Sequence, residues 1–164
     1  MRYTAVMAHE HEALLTKFYA AFSRRDGESM GACYAGDASF SDPVFVSLDA
    51  KEVRGMWRML CEQGKDLKVE ASNMTADAIA GSAHWEAYYT FSATGKSVHN
   101  IIDAKFKFRD GLIVEHIDSF DFWRWSRMAL GVPGVLLGWT PLIRNKVRST
   151  ARGRLEAYLK KHPG

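Results

Sequence analysis

Cysteine and proline are scarce in this chain of 164 residues, which holds two of the first and four of the second. Cys33 and Cys61 both fall within apolar helical patterns, where a thiol serves as a small buried hydrophobe, so neither a disulfide framework nor a thiol-redox centre is expected. A long apolar run is also missing. His9, Glu10, His11 and Glu12 interrupt the N-terminal segment where a signal peptide would need one. The longest apolar stretch, Gly131 to Trp139 with Leu142 and Ile143 beyond, is too short to span a bilayer. These absences lead us to expect a soluble, cytoplasmic protein with no membrane partner. The chain has no phosphate-cradling glycine loop and no Gly-x-Ser-x-Gly nucleophile elbow. His9 and His11 flank a helix start and read as solvated. His84 and Glu86, two apart on one strand, would need a third ligand from a neighbour to hold a metal, so no metal and no cofactor are expected. With 47% hydrophobic residues, the chain has enough apolar material for a sizeable core.

Charge is unevenly spread. Residues 1–130 carry 15 basic and 18 acidic groups, whereas residues 131–164 carry seven basic groups against Glu156 alone. A basic tail can meet nucleic acid or an acidic surface. It carries no nucleic-acid motif and no interleaved aromatics, so a solvated helix packed back on its own domain is the expectation, with no nucleic-acid partner. We therefore divide the chain into a domain over residues 1–130 and a basic helical extension over residues 131–164.

Along the chain, Leu15, Phe18, Tyr19 and Phe22 recur at i, i+3, i+4 and i+7 and predict an amphipathic helix over residues 10–25. Asp26 can cap a second, short helix with Met30, Cys33 and Tyr34 inward. Ala38 to Ser41 alternates as a strand and stops at Asp42-Pro43, since the residue before proline is held extended. Asp49 and Glu52 have the spacing of a capping box and open a helix over residues 50–63 that Gly64 can end. The period then changes to two. Leu67, Val69, Ala71 and then Ala83, Trp85, Ala87, Tyr89 and Phe91 mark strands with one face on a core. Gly95 and Asp110-Gly111 mark hairpin turns. Strands are predicted near residues 66–75, 79–93, 97–109 and 112–121, and a basic helix over residues 142–161 after the breaks at Gly131-Val-Pro-Gly134 and Pro141. The predicted fold class is α+β, with helices packed on one face of a curved antiparallel sheet.

Ionisable groups recur on strands that must also supply the core, notably from His99 to Asp121. Burying such groups is costly unless they are paired or used, so a pocket is the first hypothesis. Trp57, Trp85 and Tyr89 read as core or sheet surface, with Trp85 and Tyr89 on the inferred pocket face. His84, Glu86 and Tyr88 lie on the opposite face, too mixed for a core and too aromatic to be wholly solvated. A two-fold homodimer through that face is expected.

The order of elements resembles the nuclear transport factor 2-like superfamily, a cone-shaped fold that includes ketosteroid isomerases, SnoaL-type polyketide cyclases and limonene epoxide hydrolases. The likeness covers roughly residues 10 to 122. It rests on Phe18-Tyr19-Ala-Ala-Phe22, on Tyr34-Ala-Gly-Asp37 running to Asp42-Pro43, and on Ile102-Asp103 ahead of the Asp-Gly hairpin and the strand Glu115 to Asp121. The resemblance to ketosteroid isomerase implies Tyr19 as oxyanion donor, Asp42 as proton-transferring base and Asp103 as a buried protonated acid, chemistry that is a worked case of pKa tuning. Aligning on the Ile-Asp pair puts Asp103 in the pocket with His99. Aligning on the turn after Phe108 slides the strand by one residue and turns Asp103 outward, with Ala104 inward. Lys105 and Lys107 share the parity of Asp103.

The last strand departs from the isomerase pattern. Its inferred inward set is His116, Asp118 and Phe120, which is closer to the SnoaL-type cyclases with their acid-base Asp on the closing strand. His116 with Asp118 is expected as a second acid-base pair, the carboxylate holding the imidazole's tautomer and leaving its other nitrogen for proton transfer. A polar pair satisfied by water at the mouth of the cone, or at a sheet-mediated dimer contact, is the plainer role for His116, and Asp121 can cap a helix that starts near Phe122. The implied function is a pocket for a small hydrophobic or carbonyl-containing molecule, with cofactor-independent isomerase or cyclase chemistry next to a carbonyl. The alternative is a non-catalytic ligand-binding or protein-interaction domain of the same fold.

Overall fold

The computed structural model describes residues 9–163. Helices α1 (Glu10–Ser23) and α2 (Gly27–Gly31), strand β1 (Tyr34–Ser41) and helix α3 (Ala50–Gln63) come first. Strands β2 (Lys68–Ala76), β3 (Ala80–Phe91), β4 (Lys96–Arg109) and β5 (Leu112–Ser119) follow, then helices α4 (Phe122–Leu130), α5 (Val132–Leu137) and α6 (Pro141–Lys161). The expected caps are in place. Asp26 accepts from Ser29 N and Asp121 from Arg124 N, while Asp49 and Glu52 close a reciprocal capping box on α3. Each satisfies backbone donors that the first helical turn leaves unpaired.

The five strands form one open, curved sheet in the order β1-β5-β4-β3-β2. β1 runs parallel to β5, and the remaining neighbours are antiparallel. β1 starts at Tyr34, four residues earlier than the alternation around Phe40 indicated. On β4 the buried residues are Val98, Asn100, Ile102, Ala104, Phe106 and Phe108. That parity turns His99 and Asp103 to the outer face. Lys107 pairs with Glu115 and Phe108 with Ile113, so Val114 is an extra residue opposite the β4 ladder. This bulge brings both Ile113 and His116 inward, where strict alternation would bury one of them and expose the other.

The main core lies between the inner sheet face and α1 and α3, and holds Phe18, Phe22, Tyr34, Phe40, Trp57, Trp85 and Phe106. His11 belongs here as well. It is buried, bonds Asp77 O through Nδ1 and stacks on Phe108, which corrects the solvated placement. The C-terminal helix α6 packs across α3 and sends Leu155 and Tyr158 into the same core. Gly55 makes this possible, because a Cβ there would collide with Leu159. Between α4 and α6 the expected break contains a short helix, α5, with Pro133 in its first turn, where the missing N–H is harmless. Gly134 lets α5 lie against the backbone of Ser126 in α4.

Candidate functional site

Between α3, the inner sheet face, α4 and α6 lies a cavity of about 420 Å³. Its wall is mainly aromatic and aliphatic, with Trp57, Trp85, Tyr89, Phe120 and Trp125 among the lining residues. Polar lining groups are Asp42, Asp118, Asn100, Tyr89, Thr90 and Ser92 on the sheet side and Gln63, Lys146, Thr150 and Arg154 on α3 and α6. An apolar wall with a few converging polar groups is the usual build of a small-molecule site. The inward parity of β3 delivers Trp85 and Tyr89, that of β4 delivers Asn100 and Ile102, and the bulged β5 delivers Asp118.

Asp118 ends a chain of hydrogen bonds through the core. Trp57 Nε1 donates to the Tyr34 hydroxyl at 2.9 Å, and that hydroxyl lies 2.7 Å from His116 Nδ1. His116 Nε2 in turn lies 2.8 Å from Asp118 Oδ1. With its oxygen already accepting from Trp57, Tyr34 gives its proton to Nδ1. This selects the tautomer whose Nε2–H donates to Asp118. Trp85 Nε1 donates to the same Oδ1 at 3.4 Å. Both bonds fall on Oδ1 and orient the carboxylate, leaving Oδ2 for the cavity. His116 itself is sealed behind Phe40, Phe106 and Trp57 and does not line the cavity.

Asp42 occupies the end of β1, where Pro43 forces a tight turn. Its Oδ1 accepts from Val44 N at 2.7 Å and Phe45 N at 2.6 Å, and its own N–H donates to Phe45 O. Helix α6 holds this turn from outside, with Arg148 Nε donating to Pro43 O at 2.9 Å. Desolvation by the cavity wall raises the Asp42 pKa to about 7. The two backbone donors and Arg148 oppose the rise, while the negative charge of Asp118 adds to it. Burial likewise pushes the Tyr89 hydroxyl up to about 12, and Asp42 again contributes. The Tyr89 oxygen accepts from Trp125 Nε1 at 2.8 Å, so its own proton is free for the cavity.

Eight of the ten candidate residues thus lie on the inner side of the molecule and two do not. Asp42, Trp57, Trp85, Tyr89, Asp118 and Phe120 line the cavity, and His116 supports Asp118 from behind. Tyr19 is a core residue outside the lining. Its hydroxyl is buried without a hydrogen-bond partner among the described residues, and burial, then Asp118 and Tyr34, raise its pKa. His99 and Asp103 stand on the outer face, bonded to Glu86 and His84 respectively, because Phe106 and Phe108 fix the β4 parity. Two further polar residues join the site. Asn100 enters with the register that turns Ala104 inward, and Tyr34 opens β1 although its apolar spacing places it on the short helix. Cys33 and Cys61 are free and buried, with burial raising both thiols, Cys61 to about 11. Among the described residues no group of three or more His, Cys, Asp or Glu is arranged to hold a metal ion.

The sequence model of the SnoaL-like domain matches residues 15–116, and the chain belongs to that family. No curated protein sequence matches it. Among solved structures, an LEH-like epoxide hydrolase of M. tuberculosis is 18% identical with a TM-score of 0.60, over 79% of this chain and 94% of that one. IdmH of Streptomyces antibioticus, a proposed polyketide cyclase, is 21% identical with a TM-score of 0.62, over 76% and 100%. A Catenulispora acidiphila protein with a ketosteroid isomerase-like fold is 13% identical with a TM-score of 0.64, over 78% and 97%. At these identities the likeness establishes the fold.

Proposed function

We propose that this protein binds a small, largely apolar molecule with a carbonyl group in the cavity and transfers a proton next to that carbonyl, as a cofactor-independent isomerase or cyclase. One observation carries the reading: two carboxylates, Asp42 and Asp118, face the same apolar cavity, and the pKa of Asp42 lies at about 7. A base tuned to the working pH is effective in both directions of proton transfer. Asp42 takes the proton from carbon, and Asp118, oriented by His116, serves as the second acid-base group. Tyr89 and Asn100 line the same space and supply donors to the developing oxyanion. Tyr19 supports the wall from the core. The apolar lining favours such a substrate, and so do the descriptions of proteins that share this fold, an LEH-like epoxide hydrolase and a proposed polyketide cyclase. Residues 131–164 are a helical extension whose Arg148 fixes the Asp42 turn.

Deuterium incorporation next to the carbonyl of cavity-sized cyclic ketones in D2O, read by mass spectrometry, tests the reading. The parent should catalyse exchange, and Asp42→Asn, which keeps the turn's acceptor oxygen, should slow it by roughly a hundred- to ten-thousand-fold. Exchange that survives Asp42→Asn would sink this assignment. The outer sheet face, with Tyr88 stacked on His99 beside His84, Glu86 and Asp103, is proposed as the contact of a two-fold homodimer.

A further inference from the structure

The corner formed by the end of α4, by α5 and by the start of α6 is apolar and open. Val132 is 70% exposed, Leu136 63%, Trp139 64% and Leu142 72%. They fall on one short stretch of chain that is tied to α4 and to itself by tryptophan hydrogen bonds. Trp123 Nε1 donates to Val135 O, Trp139 Nε1 donates to Leu136 O, and Leu142 stands in the first turn of α6. Large residues concentrated this way on a surface mark an interaction site.

Charge identifies the partner. From Phe122 to Thr150 the chain carries five basic residues and no acidic one. Arg127 lies over the Trp123 ring and Arg144 over the Phe122 ring, so cations border the apolar tip. Tryptophan at the edge of an apolar tip, flanked by arginine, is the composition of a surface that sits in the headgroup region of a bilayer. Among the described residues no helix is long and apolar enough to cross a membrane. We infer that the α4–α5–α6 corner docks the protein on an anionic lipid bilayer, with Val132, Leu136, Trp139 and Leu142 entering the interface and Arg127 and Arg144 meeting lipid phosphates.

The docking has a consequence for the cavity. Ile143, next to Leu142, and Lys146 and Val147 one turn on form part of the cavity wall. A docked molecule therefore holds that wall against the bilayer, and a lipid-soluble substrate has a short path into the site. This last step rests on the proposed function, whereas the docking itself does not.

Co-sedimentation of the full chain with vesicles of phosphatidylcholine, with and without phosphatidylglycerol, tests the docking. Binding should be at least roughly tenfold tighter with phosphatidylglycerol present and should weaken in high salt. The double variant L136E/L142E should lose roughly tenfold or more of that binding while keeping the parent's circular dichroism and melting temperature. If that variant does not fold, R127S/R144S provides the second arm and should abolish the preference for phosphatidylglycerol. Asp42→Asn should bind vesicles like the parent, which separates failure of the docking from failure of the catalytic reading. Absence of sedimentation with either vesicle would overturn the inference. So would a parent dimer that L136E/L142E converts to monomer without vesicle binding, because the corner would then belong to a second copy of the chain.

Discussion

The same sheet carries a histidine–aspartate pair on each face, at nearly the same distance. Inside, His116 Nε2 lies 2.8 Å from Asp118, with side chains 1% and 2% exposed. Outside, His84 Nδ1 lies 2.9 Å from Asp103, with side chains 29% and 77% exposed. Both are cross-sheet or near-neighbour pairs on strands with the same period, and the sequence writes them in the same letters. Their energetics differ because water competes for one and not for the other. A buried pair holds its geometry, and losing one partner leaves the other desolvated and unmatched. An exposed pair gains little, since solvent screens it and the side chains lose freedom by staying together.

The sharpest way to break this contrast is to remove the imidazole from each face. His116→Ala deletes a packed ring in contact with Phe106 and Phe40 and strips both Asp118 and Tyr34 of a partner. We expect a loss of about 3–5 kcal/mol, or roughly ten degrees in melting temperature. His84→Ala should cost less than about 1 kcal/mol. Denaturant titration of the two variants side by side decides the matter. Equal losses would mean that water reaches the inner pair.

The contrast also explains what could be read from the sequence. Helix α1, the Asp49–Glu52 capping box, the Asp121 cap and the β3 alternation rest on local chemistry, and each stands where the residues placed it. Which face a β4 residue occupies rests on a register that slips by one residue under an equally good local alignment. The informative signal was the shared parity of Asp103 with Lys105 and Lys107, since lysines seldom face a dry core. Following it would have moved Asp103 and His99 outward and brought in Asn100. The bulge at Val114, which decides how His116 and Asp118 sit relative to Ile113, leaves no local mark. Nor does the sequence reveal that α6 walls the cavity and fastens the Asp42 turn through Arg148. That contact spans 105 residues.

A second test concerns Asp42, a carboxyl held in the apolar cavity. Its pKa rises from an ordinary 3.8 to about 7, mainly by desolvation. Because the folded value is the higher one, the folded state binds more protons between these limits. The contribution of this group is therefore full below about pH 4 and is lost as pH rises through 7. The full shift is worth about 4 kcal/mol, of which about 3 falls between pH 5 and 8.5. Denaturant unfolding of the parent should show stability falling by that amount from pH 5 to 8.5, relative to Asp42→Asn across the same range. A difference that stays flat with pH would mean that the carboxyl is hydrated, and the contrast between inner and outer acids would shrink accordingly.

The smallest effect belongs to the outer pair, and here sign and assembly both matter. The Asp103 hydrogen bond is the main cause that raises the His84 pKa, opposed by partial desolvation and aided by Glu86. A raised imidazole contributes its stabilisation in full below about pH 6.5 and loses it as pH climbs through the folded value. In the isolated chain, Asp103→Asn should thus cost less than about 1 kcal/mol at pH 6 and nothing measurable at pH 9. The proposed dimer sharpens this. If a second copy covers the face, the pair leaves water, and removing the carboxylate leaves a buried imidazole unmatched, so dimer dissociation should strengthen with Asp103→Asn by more than tenfold at pH 6. Sedimentation equilibrium of the parent and the variant at pH 6 and pH 9, at micromolar concentration, measures both effects together. A parent that remains monomeric at every pH removes this face as the contact. A parent dimer that Asp103→Asn leaves intact places the contact on another surface, and the outer pair then remains what its exposure makes it, a weak, solvent-screened ion pair.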